Sequence, residues 1–258
     1  MSVRPARIAI VWSLLLAPLL LIACGKTTTS EPSPETIATA DARSRAVTIP
    51  GPFATTPIAG DSDDKPVELE GHVFGSGPTG VVLAPMRTAD QSSWFPFALM
   101  LSATGQFTVL TFDFRGFGQS TGEKEFDHLD TDMTAAYQYA SGTLGMQRVF
   151  LVGATTGGSA ALVVSSRLPV AGVISISAAA QFQKLDALAA VANITAPKLF
   201  VTSKDDVPAA RSLEEMWAKA TDPRQQQVYD GSANGTDLLA GPHEADFEQL
   251  MLTFLTTH

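Results

Sequence analysis

One short segment constrains the fold more than any other: Gly153-Ala154-Thr155-Thr156-Gly157, which separates the apolar run Phe150-Leu151-Val152 from a helical stretch. Glycines on both sides of such a turn let the backbone segments approach closely, and Gly158 adds further clearance. The pattern predicts a sharp strand-to-helix turn that holds residue 155 in a strained conformation and presents its side chain. A β-branched threonine fits such a position poorly, because side chains branched at Cβ are disfavoured at positive φ.

Short β-branched apolar runs alternate with amphipathic stretches from Val67 to the C-terminus. The predicted strands are Val67 to Phe74, Gly80 to Ala84, Phe107 to Phe112, Arg148 to Val152, Gly172 to Ser177, Lys198 to Thr202 and Gln226 to Asp230. The predicted helices are Ser92 to Thr104, Asp130 to Ser141, Gly157 to Leu168, Ala209 to Ala220 and Glu244 to Leu255. This alternation predicts parallel strands with crossover helices, and therefore an α/β domain. In such domains the site forms at the carboxyl ends of the strands.

Unusual residues gather at those strand ends. They are Pro85-Met86-Arg87, the turn from Asp113 to Ser120, the glycine-bounded pentapeptide, and Ser203-Lys204-Asp205-Asp206. Together these segments resemble the α/β-hydrolase superfamily, in particular its small lidless members of the dienelactone-hydrolase and serine-peptidase-like type. The resemblance runs from about Val67 to the C-terminus. It implies an α/β-hydrolase fold: a mostly parallel sheet with helices on both faces, no cap domain and an open, shallow site.

The resemblance makes the pentapeptide a nucleophile elbow, Gly-x-Ser-x-Gly, with Thr155 at the position of the attacking serine. A threonine hydroxyl can act as a nucleophile, but the well-known case uses its own terminal amine as the base. Thr155 is internal and has no such amine. A turn without a nucleophile is therefore the favoured interpretation.

Two further positions of the triad follow from the same resemblance. The acid is expected after the strand Lys198 to Thr202, where Asp206 is preferred by loop spacing and Asp205 is the alternative. The histidine is expected in the loop after the last strand, where this chain carries Asn234. An asparagine amide has no titratable nitrogen that could take a proton. His243, nine residues further on, is the alternative base, although a surface position at a helix start is its ordinary explanation.

The oxyanion hole is built mainly from backbone amides and can survive these changes. The resemblance assigns its donors to the amides of Met86 and Thr156. It implies neither a metal nor a cofactor.

The first residues suggest export. Arg4 and Arg7 precede an apolar run that ends in Leu21-Ile22-Ala23-Cys24, which resembles a bacterial lipobox. We therefore predict a signal peptide (1–23), then lipidated Cys24 with a disordered Ser/Thr/Pro-rich tether (24–57), and an α/β-hydrolase-fold domain (58–258). An uncleaved anchor helix and an ordinary secretory signal are the alternatives.

The net charge of −9 argues against nucleic acid and anionic lipid surfaces as partners. Cys24 is the only cysteine, so the exported domain would have no disulfide. The first hypothesis is a lipid-anchored envelope protein with a degraded Thr-Asp-Asn triad, inactive or very weak as a hydrolase, which binds a small acyl or ester-like ligand or acts as a scaffold. The second is an atypical esterase or peptidase that uses Thr155 with a displaced histidine. The third is hydration or isomerisation chemistry at the oxyanion hole.

Overall fold

The computed structural model describes residues 33–41, 43–51, 66–87 and 89–258. The predicted signal peptide, Cys24 and residues 25–32, 42 and 52–57 of the predicted tether lie outside these residues. In the described part of the chain, no helix is long and apolar enough to cross a membrane.

An eight-stranded sheet forms the centre of the domain, and a two-stranded hairpin lies apart from it. The strands are β1 (Arg45–Pro50), β2 (Glu68–Phe74), β3 (Thr79–Ala84), β4 (Phe107–Phe112), β5 (Arg148–Ala154), β6 (Gly172–Ile176), β7 (Gln181–Phe182), β8 (Leu185–Asp186), β9 (Lys198–Ser203) and β10 (Arg224–Tyr229). Their order in the large sheet is β1-β2-β4-β3-β5-β6-β9-β10. Within this sheet β2 runs antiparallel to both of its neighbours, and all other pairs of the sheet are parallel.

Helices cover both faces of this sheet. They are α1 (Pro34–Asp41), α2 (Phe95–Ala103), α3 (Leu129–Gln138), α4 (Thr156–Ser165), α5 (Ala187–Ala190), α6 (Val207–Lys219) and α7 (Glu244–Thr257). Apolar side chains of α2 and α7 pack on one face of the sheet, and those of α3, α4, α5 and α6 pack on the other. A strand covered on both faces needs a continuous apolar run, which explains why every residue of β4 is buried.

The end of β6 carries no cap domain. The segment 177–197 that connects β6 to β9 contains only the β7–β8 hairpin, α5 and one 3₁₀ turn. Among the described residues, no separate cap domain therefore covers the carboxyl ends of the central strands.

The ordered domain begins before residue 58, contrary to the prediction of a tether from 24 to 57. Arg45–Pro50 forms the edge strand β1, and its side chains Val47 and Ile49 are buried in the core. These two residues alternate with polar ones, as expected of a strand with a single buried face. The surrounding segment is rich in Thr, Ser, Pro and Ala, and this composition led to the prediction of a tether in place of a strand.

Candidate active site

The elbow turn has the predicted strained geometry. β5 ends at Ala154, α4 begins at Thr156, and Thr155 between them has φ 46° and ψ −108°. A Cβ atom at Gly153 would lie 2.6 Å from the Gly158 amide nitrogen. Two backbone segments meet here at a distance that only glycine permits.

The second glycine of the turn, Gly157, allows a close contact with the end of the neighbouring strand β3. A Cβ atom at Gly157 would lie 2.6 Å from the Pro85 carbonyl oxygen, directly after β3. The first turn of α4 is thereby in contact with the loop that follows β3.

Thr155 occupies this turn at an energetic cost. A β-branched residue at positive φ is unfavourable by roughly 1–2 kcal/mol. Thr155 is half-buried, and its Oγ1 atom forms no hydrogen bond with any described residue. Its Cγ2 methyl lies 3.0 Å from the place that a Cβ at Gly235 would occupy. The extra methyl group of threonine therefore faces the loop that contains Asn234.

Asp206 and Asn234 are in direct contact. Asn234 Nδ2 donates to Asp206 Oδ2 at 2.6 Å. Asp206 is also the N-cap of α6, and its Oδ1 accepts from the Ala209 amide at 3.4 Å. Asp205 is exposed, and its backbone amide donates to the Gly231 carbonyl at 2.9 Å. Of the two candidate acids, only Asp206 meets the side chain at the histidine position.

Two serines at neighbouring strand ends hold the Asn234 loop. Ser203, the last residue of β9, donates through Oγ to the Ala233 carbonyl at 2.7 Å. Ser177, one residue beyond β6, accepts the Gly235 amide at 3.1 Å. Both serines are buried, and Gly235 has φ 58°, a conformation suited to glycine. These bonds fix the backbone on either side of Asn234.

The predicted oxyanion donors lie in the two segments that flank the elbow. Trp94 Nε1 donates to the Ala84 carbonyl at 3.0 Å and so anchors the end of β3, two residues before Met86. The Thr156 amide belongs to the first turn of α4, where backbone N–H groups have no acceptor within the helix. The buried Thr156 Oγ1 also has no hydrogen-bond partner in the described part of the chain. Met86 Sδ lies 3.1 Å from a Cβ built at Gly235, so its side chain reaches the elbow.

Comparison with known proteins identifies the family. The model of the family described as "Serine aminopeptidase, S33" matches residues 77–231, which is more than half of the chain. The chain belongs to the serine aminopeptidase S33 family. This match begins before β3 and ends just after β10, so it contains the elbow and Asp206 but stops short of Asn234.

The chain is also similar to other proteins of known sequence and of known structure. Two uncharacterized proteins, from two strains of Mycobacterium tuberculosis, are 26% identical over 201 residues, covering 69% of this chain and 71% of theirs. An esterase of Pyrococcus furiosus has a TM-score of 0.68 at 15% identity, covering 88% of this chain and 94% of its own. A bromoperoxidase of Bacillus anthracis has a TM-score of 0.66 at 17% identity, covering 82% of this chain and all of its own. These likenesses confirm the predicted α/β-hydrolase fold without a cap.

No histidine of this S33-family chain reaches the elbow. All four histidines are described, and none hydrogen-bonds to Thr155 or Asp206. His243, the alternative base, has its Nε2 3.1 Å from the Asp230 carbonyl oxygen and its ring 4.9 Å from that of Tyr229. His128 instead lies 3.8 Å from a Glu125 carboxylate oxygen.

The turn after β4, which carried much of the family resemblance, is organised around a buried carboxylate. Asp113 accepts from the Gln91 backbone amide at 2.7 Å and from Gln91 Nε2 at 3.0 Å. Burial raises the pKa of Asp113 from 3.8 to about 6, although both Gln91 bonds act in the opposite direction. A Cβ at Gly118 would overlap Asp113 Oδ2, which explains the glycine.

Sequence reasoning missed Ser177 and Ser203, which position the site without belonging to the family motifs. A small polar residue at the carboxyl end of an otherwise apolar strand is the signal that could have identified both. In the part of the chain that the structure describes, no cluster of three or more His, Cys, Asp or Glu residues could hold a metal ion.

Proposed function

We propose that this protein is a lipid-anchored envelope protein with an α/β-hydrolase fold whose elbow site no longer hydrolyses its ligands. The observation that carries the proposal is the bond from Asn234 Nδ2 to Asp206 Oδ2. In a serine hydrolase triad, a histidine receives the carboxylate's support and takes the proton of the nucleophile. Asn234 makes the first of these contacts but cannot perform the second.

The expected loss of rate is large. General-base assistance is worth about 10² to 10⁴, and triad members act as a unit. Thr155 adds a second obstacle, because its methyl group is directed at the Asn234 loop and its hydroxyl has no base among the described residues. Binding and polarisation of a carbonyl are the functions left to such a site.

The ligand that suits this site is a small acyl or ester-like molecule. The surface at the elbow combines apolar groups, the Thr155 methyl and the Met86 thioether, with the first-turn amide of α4 at Thr156. A helix N-terminus favours partial negative charge, such as that on a carbonyl oxygen. Alternatively, the domain acts as a scaffold in the envelope, a function that requires no ligand.

Reconstruction of the triad tests the proposal. We expect the protein and both single variants, Thr155→Ser and Asn234→His, to hydrolyse p-nitrophenyl esters no faster than a Thr155→Ala control. The double variant should gain activity of at least about 10²-fold over that control. Adding Asp206→Asn to the double variant should abolish most of this gain, because the imidazole loses its carboxylate.

Two results would contradict the proposal. One is hydrolysis by the unmodified protein that disappears in Thr155→Ala. The other is strong activity of Thr155→Ser alone, which would reveal a base other than residue 234.

Membrane attachment through Cys24 is tested separately. We expect Cys24→Ala to leave the protein unprocessed or soluble in cell fractionation. In the unmodified protein we expect acyl chains on Cys24, detectable by mass spectrometry. Unchanged membrane attachment of Cys24→Ala would refute the lipid anchor.

A further inference from the structure

A serine, a histidine and a glutamate meet at the edge of the sheet, away from the elbow. Ser44 lies one residue before β1, and Glu70 and His72 lie on β2. Ala46 pairs with His72 in the antiparallel β1–β2 ladder. Alternate residues of a strand share a face, so the side chains of Ser44, Glu70 and His72 all project to the same side of the sheet.

The contacts among these three side chains follow the order nucleophile, base and carboxylate. Ser44 Oγ lies 2.7 Å from His72 Nδ1. His72 Nε2 lies 3.6 Å from Glu70 Oε1. If Nδ1 accepts the serine proton, the remaining proton resides on Nε2, which faces the carboxylate.

Packing holds the imidazole in place, and the serine lies at the edge of the domain. The His72 side chain is only 10% exposed, and its ring lies 5.1 Å from that of Phe95 at the start of α2. Ser44 is half-buried at the edge of the domain, and the Glu70 side chain is 28% exposed. Ser44 Oγ and His72 Nδ1 lie within the hydrogen-bond reach that nucleophilic catalysis requires of a nucleophile and its base, and the Glu70 carboxylate lies at ion-pair distance from the other ring nitrogen.

We propose that Ser44 is a second nucleophile of this protein, which accepts acyl groups from activated esters with His72 as general base. Ser44 Oγ attacks the carbonyl carbon, and its proton passes to His72 Nδ1. The C–O bond to the leaving alcohol then breaks, and the alcohol takes the proton back from His72. Water hydrolyses the resulting acyl-serine by the same route. Glu70 is a positioning residue in this scheme.

This site is independent of the elbow. β1 and β5 are separated by three strands in the sheet, which corresponds to about 19 Å between the two strands. Substitutions at Thr155 and at Ser44 therefore distinguish the two sites, and the proposal holds whether or not the elbow is inactive.

The test is site-resolved labelling of the purified protein. An alkyl fluorophosphonate forms a bond from serine Oγ to phosphorus and releases fluoride, and p-nitrophenyl acetate transfers an acetyl group with release of p-nitrophenol. Peptide mapping by mass spectrometry then locates the adduct. Ser102 is the matched internal control: it is half-buried, but its Oγ donates to the Leu99 carbonyl and hydrogen-bonds to no histidine among the described residues.

We expect the adduct on Ser44 and not on Ser102, at a rate that Thr155→Ala leaves unchanged. Ser44→Ala should eliminate it. His72→Ala should slow labelling of Ser44 by about 10²-fold, and added imidazole should restore part of the rate, which a purely structural role would not allow. Glu70→Ala should slow labelling less, and Glu70→Asp should recover part of that loss.

Three results would overturn the proposal: labelling of Ser44 no faster than that of Ser102, an adduct on Thr155 in place of Ser44, or His72→Ala labelling at the unmodified rate. Thermal unfolding of each variant identifies loss of fold. The comparison of Ser44 with Ser102 needs no variant at all and so decides the question even if His72→Ala is unstable.

Discussion

The buried carboxylate of Asp113 makes a quantitative prediction about stability and pH. Its pKa is raised from 3.8 to about 6 in the folded protein, chiefly because burial disfavours the charged form. Between these two values the folded state holds a proton that the unfolded chain has released. Stability therefore decreases as pH rises from about 4 to about 6, and the difference in pKa corresponds to about 3 kcal/mol.

The substitution Asp113→Asn isolates this contribution. Asparagine cannot ionise at this position. Its altered bonds to Gln91 therefore change the free energy of unfolding by an amount that does not depend on pH. Urea unfolding of both proteins at pH 4, 5, 6 and 7 gives the difference in unfolding free energy at each pH. We expect this difference to shift by about 3 kcal/mol in favour of the variant between pH 4 and pH 7. A difference that stays constant within about 1 kcal/mol would refute the reasoning.

Two further predictions concern backbone clearance and buried charge. Gly153→Ala should destabilise the domain by about 3 kcal/mol or more, because its Cβ would collide with the backbone of α4, whereas exposed Gly142→Ala, whose Cβ meets nothing within 4 Å, should be neutral or slightly stabilising in thermal unfolding. Asp132→Asn should cost about 3 kcal/mol in urea unfolding, because it weakens a buried pair in which Arg115 Nη2 lies 2.6 Å from Asp132 Oδ1. Asp130→Asn, which removes a surface ion pair, should cost less than about 1 kcal/mol; equal costs at the two sites would contradict the argument.

The sequence predicts most of the sheet, because its central strands are continuous apolar runs that only a doubly covered sheet can bury. The predicted strand Phe107 to Phe112 coincides with β4, and the bounds of the other predicted strands differ from the observed ones by at most two residues at either end. The edge strand β1 was not predicted, because only two of its residues, Val47 and Ile49, are buried. An edge strand needs few apolar residues, and its composition resembles that of a loop.

The spacing of the family motifs predicts positions for the site but not the contacts between them. It predicts Asp206 and Asn234, with Asp205 as an alternative acid, and it contains no sign of the hydrogen bond between the Asn234 and Asp206 side chains. The pairing of Ser44 with His72 spans 28 residues of sequence and depends on the register of the β1–β2 ladder. No local pattern encodes such a register, because it follows from which faces of two strands are buried.

The hydrogen bonds that Ser177 and Ser203 make with the Asn234 loop determine how easily this site can change by point mutation. The loop backbone is fixed by neighbouring strand ends, so the residue at position 234 can be exchanged without rebuilding the frame around it. Asparagine and histidine codons differ by one nucleotide, as do some threonine and serine codons. A Ser-Asp-His triad at these three positions is thus two point mutations away, and neither mutation alters the hydrogen bonds of Ser177 and Ser203 that fix the loop.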